Sequence, residues 1–338
     1  MTSYKMYPNV CEGSKGVLVS TRAERTCQDQ FSSAKLPYTG HGGYCQDQEI
    51  YEQEICYKGM DKELAQKYEK LKELLTQEDL VVAYSGGVDS TLLLKVAQEV
   101  LGDRVVAVTA LSPTYPEDEL EFAREMVRVL GVKHILIISQ ELEDPGFVEN
   151  SPLRCYYCKR ELFGKLSQVA QELGIRRVAY GQNLDDLTDY RPGHRAAEEF
   201  QVCSPLREAG FNKEEIRKLS RELGLPTWDR PQQACLSSRF PYGLEITEER
   251  LEKVEKAESL LCSLGFTQLR VRIHDDYTAR IEVPPSEFRR LIESEVRSQI
   301  VEGFRKLGFI YISLDLAGFR SGSANEVLMG SGISQGRV

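Results

Sequence analysis

The sequence predicts an α/β protein in which helices flank a parallel sheet, with a smaller α+β domain towards the carboxyl end. Short apolar stretches alternate with helical patterns across residues 61–230, which is typical of βαβ units. The order changes across residues 231–330 to helix, hairpin, helix and strand, which indicates a second unit. A chain of 338 residues is long enough for two such domains.

The elements of the first domain follow from the period of their apolar residues. An amphipathic helix begins near Asp61, and strands are predicted where apolar runs are bounded by turn residues. The predicted strands are 80–84, 105–109, 134–138 and 177–180. The predicted helices that follow them are 90–100, 116–130, 160–173 and 212–223. The last helix ends at Gly224, with Pro226 as a stop signal.

The second domain also contains helical and strand patterns of apolar residues, but in a different order. The predicted helices are 247–264 and 286–307. The predicted strands are 268–274, 279–283 and 309–314, of which the first two form a hairpin. We expect this domain to serve substrate binding or oligomerisation.

The two ends of the chain differ from the rest. Residues 1–60 are polar, rich in Gly, Ser, Gln and Tyr, and without a sustained period, which predicts a disordered extension. The cysteines of this segment are too widely spaced for zinc-binding pairs: Cys11, Cys27, Cys45 and Cys56. The tail, residues 331–338, is rich in Gly and Ser and is predicted to be flexible.

The composition argues against several classes of protein. A net charge of −9 speaks against nucleic acid as the main partner, because such binding depends on Lys and Arg neutralising phosphates. No apolar run has the length that crosses a bilayer, and no signal pattern opens the chain, so we expect a cytoplasmic protein without a membrane partner. Nine cysteines in a reducing compartment point to metal binding or catalysis.

A loop suited to anion binding follows the first predicted strand. It reads Ser-Gly-Gly-Val-Asp-Ser at residues 85–90 and leads directly into a helix. Gly86 and Gly87 can take positive φ, so successive backbone N–H groups can converge on an anion. The N-terminus of the following helix adds its positive dipole end to the same place.

These six residues resemble the PP-loop of the N-type ATP pyrophosphatases. The loop is not a Walker motif, because no lysine stands between Gly87 and Thr91. The resemblance implies the PP-loop fold, ATP and Mg²⁺ as cofactors, and transfer of AMP to a substrate oxygen with release of pyrophosphate. Asp89 is suited to Mg²⁺ and to catalysis, and Ser85 and Ser90 offer hydroxyls to phosphate.

Further polar residues stand where predicted strands end. Ligands of parallel sheets bind at the carboxyl ends of the strands, where Thr109, Gly181, Asp185 and Asp186 fall. A solvated turn is the alternative interpretation of the last two. The residues predicted to contact ATP are Ser85, Gly86, Gly87, Val88, Asp89, Ser90, Thr109, Gly181 and Asp185.

Three cysteines form a second group of candidates. Cys155 and Cys158 make a C-x-x-C pair, placed before the predicted helix 160–173, and Cys235 lies in the linker between domains. Three thiolates with one open position suit a 4Fe–4S cluster, and zinc with a fourth ligand is the alternative. Positive neighbours are predicted to lower the pKa of these thiols: Arg154, Lys159 and Arg239.

Two arginines in the second domain are further candidate site residues. Arg270 and Arg272 alternate with apolar residues, so both face one side of a strand. Such a pair could receive a phosphate-bearing substrate or lie on a solvated face.

Together these motifs resemble the LarE family of ATP-dependent sulfur transferases. The resemblance covers residues 61–330 and rests on the loop at 85–90, on Asp185-Asp186 with residues 189–193, on Ala-Cys-Leu-Ser-Ser-Arg at 234–239, and on the stretch 314–323. It implies that a carboxylate of pyridinium-3,5-dicarboxylate mononucleotide is adenylylated and converted to a thiocarboxylate, during synthesis of the nickel-pincer nucleotide cofactor.

The resemblance also implies roles for the cysteines and arginines. Cys235 either gives up its own sulfur or joins Cys155 and Cys158 in holding a cluster that passes on sulfide. Arg270 and Arg272 would hold the substrate phosphate. We expect the cluster route, since the sacrificial route leaves the C-x-x-C pair without a task. We further expect a homo-oligomer and a sulfide or persulfide donor as partners.

Three other functions fit parts of the sequence. A PP-loop tRNA thiolase would need a basic surface, which the acidic balance opposes. An amidating enzyme of the NAD or GMP synthetase kind would leave the three cysteines without a task. A regulatory module that binds a nucleotide without chemistry would release no pyrophosphate.

Overall fold

Two sheets organise the chain, which we describe from a computed structural model. The structure describes residues 11–12, 17–19, 60–187, 192–231, 234–320 and 322–330. The strands of the larger sheet are β1 Cys11–Glu12, β2 Val17–Val19, β3 Leu80–Ala83, β4 Val105–Leu111, β5 Lys133–Ile138 and β6 Arg177–Tyr180. Those of the smaller sheet are β7 Arg270–Ile273, β8 Thr278–Glu282 and β9 Tyr311–Leu314.

The larger sheet has a parallel centre. Its strand order is β1-β2-β5-β4-β3-β6, and the four strands from β5 to β6 run parallel. Helices pack on both of its faces, so the predicted α/β class with a parallel sheet is confirmed. β3 lies between β4 and β6, and its carboxyl end therefore meets two neighbouring strand ends.

Two short strands come from the segment that the sequence predicted to be without regular structure. β2 pairs antiparallel with β5, and β1 pairs antiparallel with β2. β5 would otherwise be the edge of the sheet, and an edge strand offers unpaired backbone groups to any extended segment nearby. The other residues of the segment, with Cys27, Cys45 and Cys56, lie outside the described residues, as does the tail 331–338.

Most of the predicted helices are found in the structure. Those of the first part are α1 Lys62–Leu75, α2 Val88–Leu101, α3 Glu117–Leu130, α4 Pro145–Val148, α5 Arg154–Leu173, α6 Gly193–Glu199, α7 Pro205–Ala209 and α8 Lys213–Glu222. Those of the second part are α9 Glu248–Ser263, α10 Phe288–Ile292, α11 Ser294–Lys306 and α12 Glu326–Gly330. None of the helices in the described ranges is long and apolar enough to cross a membrane.

Two predicted helices differ from the observed ones. α5 begins at Arg154 rather than at residue 160, because a turn at Ser151–Leu153 already accepts the N–H groups of Arg154 and Tyr156. The predicted helix 286–307 is interrupted at Glu293, whose backbone is extended with ψ of 140°. A helical period continues through such a break, so the sequence pattern alone does not reveal it.

The second core reaches across the predicted domain boundary. α9, the smaller sheet and α11 enclose a cluster of buried apolar residues, and Phe147 of α4 belongs to that cluster. Tyr157 and Cys158 of α5 pack against it from outside. The start of α5 is thus held between the two parts of the molecule, which brings the C-x-x-C pair close to the linker that carries Cys235.

Candidate active site

The positive φ that the sequence suggests for both glycines of the loop at residues 85–90 is found at Gly86 but not at Gly87, whose φ is −72°. Gly86 has a φ of +68°, and a Cβ there would meet Ala123 of α3 at 3.1 Å. Gly87 is the N-cap of α2, and it has no side chain with which to cover the first N–H groups of the helix. These N–H groups and the helix dipole favour a phosphate beside the loop.

The serines of the loop bond to one another. The Ser85 and Ser90 hydroxyls lie 3.2 Å apart, and the Ser90 hydroxyl donates to the Gly87 carbonyl at 3.1 Å. The Tyr115 hydroxyl donates to the Ser85 carbonyl from the segment after β4. The loop is therefore ordered by its own polar groups, and its hydroxyls can turn towards an incoming phosphate.

Asp89 lies opposite a lysine from a distant part of the chain. Its carboxylate forms an ion pair with Lys213, the first residue of α8, and accepts a 3.3 Å hydrogen bond from Asn183. The Lys213 backbone N–H donates to Asp185 at 2.8 Å. Asp89 and Asp185, both predicted site residues, thus meet at Lys213, which the sequence analysis did not identify.

The sequence marks the helix that carries Lys213 but does not indicate that Lys213 faces Asp89. Asn212 and Glu215 form a capping box, so the sequence does mark the start of this helix. The capping box gives no information about which strand end the helix faces. The positive side chain that the Walker motif places within its loop comes here from another element.

Gly181 brings β6 close to the loop. A Cβ at Gly181 would lie 2.8 Å from the Ser90 nitrogen and 3.1 Å from the Asp89 Cβ. Only glycine allows this approach, because real Cβ contacts do not occur at such distances. The end of β6 therefore forms one wall of the loop, as expected from its position. Asp189, Tyr190 and Arg191 of the nearby motif lie outside the described residues.

Thr109 is buried within the sheet. Its hydroxyl donates to the Tyr84 carbonyl at 2.8 Å and lies 2.9 Å from His134 Nε2. Burial, and next Arg124, lower the pKa of His134 to about 4, so the ring is neutral at pH 7. In this structure Thr109 supports the strand end from which the loop begins, and its predicted contact with ATP stays a prediction.

The three cysteines converge at the start of α5. Cys155 and Cys158 lie three residues apart in its first turn, which places them on one face. Cys235 lies in the linker, immediately before a short turn of helix, Leu236–Arg239. Its thiol is near enough that a charge on it raises the pKa of both other thiols. All three are free thiols.

The prediction of lowered thiol pKa values is wrong for Cys155 and Cys158. Part of Cys155 reaches solvent, yet protein surrounds its thiol, and this desolvation raises the pKa more than Arg154 and Lys159 lower it. Burial raises the pKa of Cys158 well above its usual value, and Glu141 adds to the increase. Arg239 is paired instead with Glu258 at 2.9 Å.

Glu141 is a buried carboxyl group beside Cys158 that the sequence analysis missed. It is 1% exposed and accepts hydrogen bonds from the hydroxyls of Ser112 and Ser139, and from Thr114 at 3.1 Å. Burial raises its pKa. The surrounding sequence contains no pattern that would single out one glutamate among several in this stretch.

The three thiols are the candidate ligands in both metal hypotheses. Within the described ranges, no group of three His, Cys, Asp or Glu residues is close enough for a single metal ion. Zinc bound by four ligands around one point would need these thiols to lie closer together. In a 4Fe–4S cluster each thiolate binds a different iron, so ligands can lie farther apart. The cluster therefore stays a prediction, as zinc does.

The arginines of the second part surround the linker loop. Arg272 is 9% exposed and donates to Glu282, to the Ser238 carbonyl at 2.6 Å and to Ser323 at 2.7 Å. Arg270, on the same side of β7, is half-buried. Desolvation, and next the charge of Arg239, lower its pKa to about 10, so it remains a cation at pH 7.

One segment joins the loop at 85–90 to the cysteine loop. After β4, Tyr115 contacts the Ser85 carbonyl, and the Thr114 carbonyl accepts a 2.9 Å hydrogen bond from the Leu236 N–H. Arg239 holds the other side of the cysteine loop by donating to the Ala234 and Cys235 carbonyls at 2.8 and 3.1 Å. The predicted site residues therefore belong to one connected region.

Comparisons with known proteins agree with this geometry. The Asparagine synthase family model matches residues 72–154, which include the loop at 85–90. The chain is 46% identical over 266 residues to an uncharacterized protein of Synechocystis sp., a match that covers 78% of this chain and 99% of that protein. It is 30% identical over 260 residues to an uncharacterized protein of Methanocaldococcus jannaschii, covering 77% of this chain and 98% of that protein.

A third relative has a described activity. The chain is 39% identical over 259 residues to the pyridinium-3,5-bisthiocarboxylic acid mononucleotide synthase of Lactiplantibacillus plantarum. The match covers 76% of this chain and 92% of that protein. With the PP-loop geometry described above, this similarity means that the chain belongs to the LarE family and is an ATP-using enzyme of the PP-loop type.

Proposed function

We propose that the protein adenylylates a carboxylate of pyridinium-3,5-dicarboxylate mononucleotide with ATP and replaces one of its oxygens by sulfur. The product would be a thiocarboxylate used for the nickel-pincer nucleotide cofactor. The observation that carries the proposal is the segment after β4, which contacts the PP-loop through Tyr115 and the cysteine loop through Thr114. An activated carboxylate and a sulfur source would need such a shared region.

The first step would take place at the PP-loop. The substrate carboxylate oxygen would attack the α-phosphorus of ATP, and pyrophosphate would leave with the electrons of the broken P–O bond. The N–H groups at Gly86 and Gly87 would hold the pyrophosphate, with the hydroxyls of Ser85 and Ser90 beside them. Asp89 and Asp185 would hold Mg²⁺, whose charge would stabilise the leaving group.

Lys213 would assist the same step. Its ammonium group is paired with Asp89. Mg²⁺ on Asp89 would compete with the ammonium for that carboxylate, and the side chain would then be free to contact a phosphate oxygen. The lysine would thus supply the charge that the PP-loop sequence lacks.

Arg270 is the less buried of the two candidates for the substrate phosphate. Arg272 already donates to three partners within the second part of the molecule. Desolvation, and next the charge of Arg239, lower the pKa of Arg270, so the negative charge of an arriving phosphate would offset both effects. Arg272 would then fix the strand and the cysteine loop around that phosphate.

The second step would bring sulfur to the acyl-adenylate. A sulfur nucleophile would attack the carboxyl carbon, and AMP would leave with the electrons of the C–O bond. Cys155, Cys158 and Cys235 would hold a 4Fe–4S cluster, which would supply a sulfide at its open position. In the alternative, the sulfur of Cys235 itself would be used once per chain.

The remaining expectations are part of the same proposal. The chain would act in the cytoplasm as a homo-oligomer, would use sulfide or a persulfide donor, and would fold as the two domains 61–230 and 231–330. A nucleotide-sized substrate, rather than a nucleic acid, would occupy the region around Arg270.

The test is an assay of anaerobically purified protein with ATP, Mg²⁺, the pyridinium dicarboxylate mononucleotide and sulfide. We expect substrate-dependent release of AMP and pyrophosphate, a product in which sulfur has replaced oxygen by mass spectrometry, and iron with broad visible absorption. Absence of substrate-dependent pyrophosphate release would contradict the proposed activity. Pyrophosphate release with ammonia incorporation instead of sulfur would identify an amidating enzyme.

A further inference from the structure

Asn150 has an unusual backbone for a buried polar residue. Its φ is +53° and its side chain is fully buried. Among the described residues, Gln201 is the only other non-glycine with positive φ, and it is exposed. The left-handed conformation is unfavourable for residues with a Cβ, so a buried example is retained where its contacts compensate for the strain.

Among the described residues, the hydrogen-bond partners of Asn150 that are distant in sequence lie in the segment after Cys235. Its side-chain amide donates to the carbonyls of Pro241 and Leu244 at 2.8 and 3.0 Å. Its own carbonyl accepts from the Gly243 N–H at 3.0 Å. A glycine would allow the backbone conformation, but it could not make the two amide bonds.

Arg154 extends this connection to the cysteine loop. It lies one helical turn after Asn150, directly before Cys155, and is 6% exposed. Its Nη1 donates to Asn150 Oδ1 at 2.5 Å and to the Ser237 carbonyl at 2.9 Å. Ser237 follows Cys235 by two residues. One guanidinium therefore connects the first turn of α5 to the loop that carries the third cysteine.

We propose that Asn150 and Arg154, which we name the Asn150–Arg154 clamp, set the separation between Cys235 and the Cys155–Cys158 pair. Both are positioning residues, because they act through the backbone of the cysteine loop. A loop residue keeps a fixed place only when bonds to a rigid element hold it, and here the rigid element is α5. The inference rests on the proposed function only in assigning the three thiols a common task.

The clamp assigns Arg154 a role different from the one its sequence position predicts. Desolvation outweighs its effect on the pKa of Cys155, which is raised. Its hydrogen bonds, in contrast, are buried and directional, and both come from Nη1, which lies one bond farther along the side chain than the ammonium nitrogen of a lysine. The contribution of Arg154 is therefore geometric, and it can be measured without substrate.

The experiment measures how fast a short reagent with two thiol-reactive ends joins Cys235 to Cys155 or Cys158. The reduced full-length chain, stripped of metal by a chelator, is treated with dibromobimane, and the joined cysteines are identified by peptide mass spectrometry. Each rate is divided by the rate of alkylation of the same thiols by monobromobimane, which corrects for thiol reactivity.

We expect Arg154→Met and Asn150→Gly to lower this ratio about tenfold, because the effective concentration of two groups depends steeply on their placement. Arg154→Lys should give little recovery. The matched controls are Arg160→Met, which removes another arginine of α5 that pairs with Asp144 at 2.7 Å, and Gln201→Gly, at the other left-handed position. Both should keep the wild-type ratio.

The clamp is wrong if a folded Arg154→Met or Arg154→Lys chain joins its cysteines at the wild-type ratio. Circular dichroism and a melting curve establish folding, and Arg154→Lys replaces Arg154→Met if the latter does not fold. A wild-type chain that joins these cysteines but forms no thiolated product contradicts the proposed function alone, so the two hypotheses can fail separately.

Discussion

The PP-loop and the cysteine region are built in opposite ways. The PP-loop is continuous, and six successive residues between β3 and α2 supply its shape and most of its polar groups. The cysteine region is assembled from α5, the linker and β7, and a buried carboxyl group from after β5 lies beside it. A continuous site tolerates distant changes, whereas an assembled site depends on the contacts that hold its parts together.

The largest effect is expected from a substitution in the PP-loop that leaves the cysteine region unchanged. Asp89→Asn should lower pyrophosphate release about 10²- to 10³-fold, because it removes a charge that Mg²⁺ and Lys213 both need. The thiol reactivity of Cys155 and Cys235 should not change. A pyrophosphate assay checks this, with the exposed Asp103→Asn as control. Normal release by Asp89→Asn would remove the PP-loop from the mechanism.

The complementary experiment changes the cysteine region and leaves the PP-loop intact. Cys155→Ala, Cys158→Ala and Cys235→Ala should each abolish visible iron–sulfur absorption and thiolated product, while the PP-loop still releases pyrophosphate. The intact chain should make more than one product per chain when sulfide is supplied. Absorption spectra and mass spectrometry measure these outcomes, with Cys262→Ala, at an exposed cysteine, as control.

One result of that experiment would favour the sacrificial route. If Cys155→Ala and Cys158→Ala keep full activity, the cluster is not required. Conversion of Cys235 to dehydroalanine after a single turnover, detected as a mass change of the chain, would then identify its own sulfur as the source.

A smaller effect is expected where β6 meets the PP-loop. Gly181→Ala places a methyl group 2.8 Å from the Ser90 nitrogen, so the loop or the strand must shift. We expect a loss of about 1–3 kcal/mol in the free energy of unfolding and weaker ATP binding. Gly164→Ala is the control, since its Cβ would meet Phe200 at 3.6 Å, an ordinary contact. Unfolding in urea and ATP titration measure both effects.

The pH dependence of stability tests the support beneath the loop. His134 has a pKa of about 4 in the folded chain, lowered from 6.5 chiefly by burial. The unfolded chain therefore takes up a proton below pH 6.5 that the folded chain does not, and stability falls between pH 6.5 and pH 4. The loss should be about 3 kcal/mol. His134→Gln should lack this component, and identical pH curves would contradict it.

The smallest effect is expected at the amino terminus. Truncation to Asp61 removes β1 and β2, which pair only with each other and with the edge strand β5. We expect ATP-dependent thiolation to be unchanged and the melting temperature to fall by a few degrees at most. A large fall would mean that the extension is an integral part of the fold.

The sequence predicts elements well where the signal lies within a few residues. The strands of the parallel sheet, the helix α8 and the positive φ of Gly86 all follow from neighbouring residues. The sequence analysis placed the start of α5 six residues too late. No cap residue marks the observed start, and the two tyrosines near it favour helix only weakly. The break at Glu293 has no sequence signature for a similar reason.

The sequence by itself determined the α/β class and the identity of the ATP loop, since both depend on local periods and on consecutive residues. Only the tertiary structure decided that Lys213 faces Asp89, that Glu141 lies beside Cys158, and that thiol burial outweighs nearby positive charge. These contacts join residues far apart in the chain, and their electrostatics depend on desolvation. Desolvation is a property of the packed molecule, which no short pattern of residues contains.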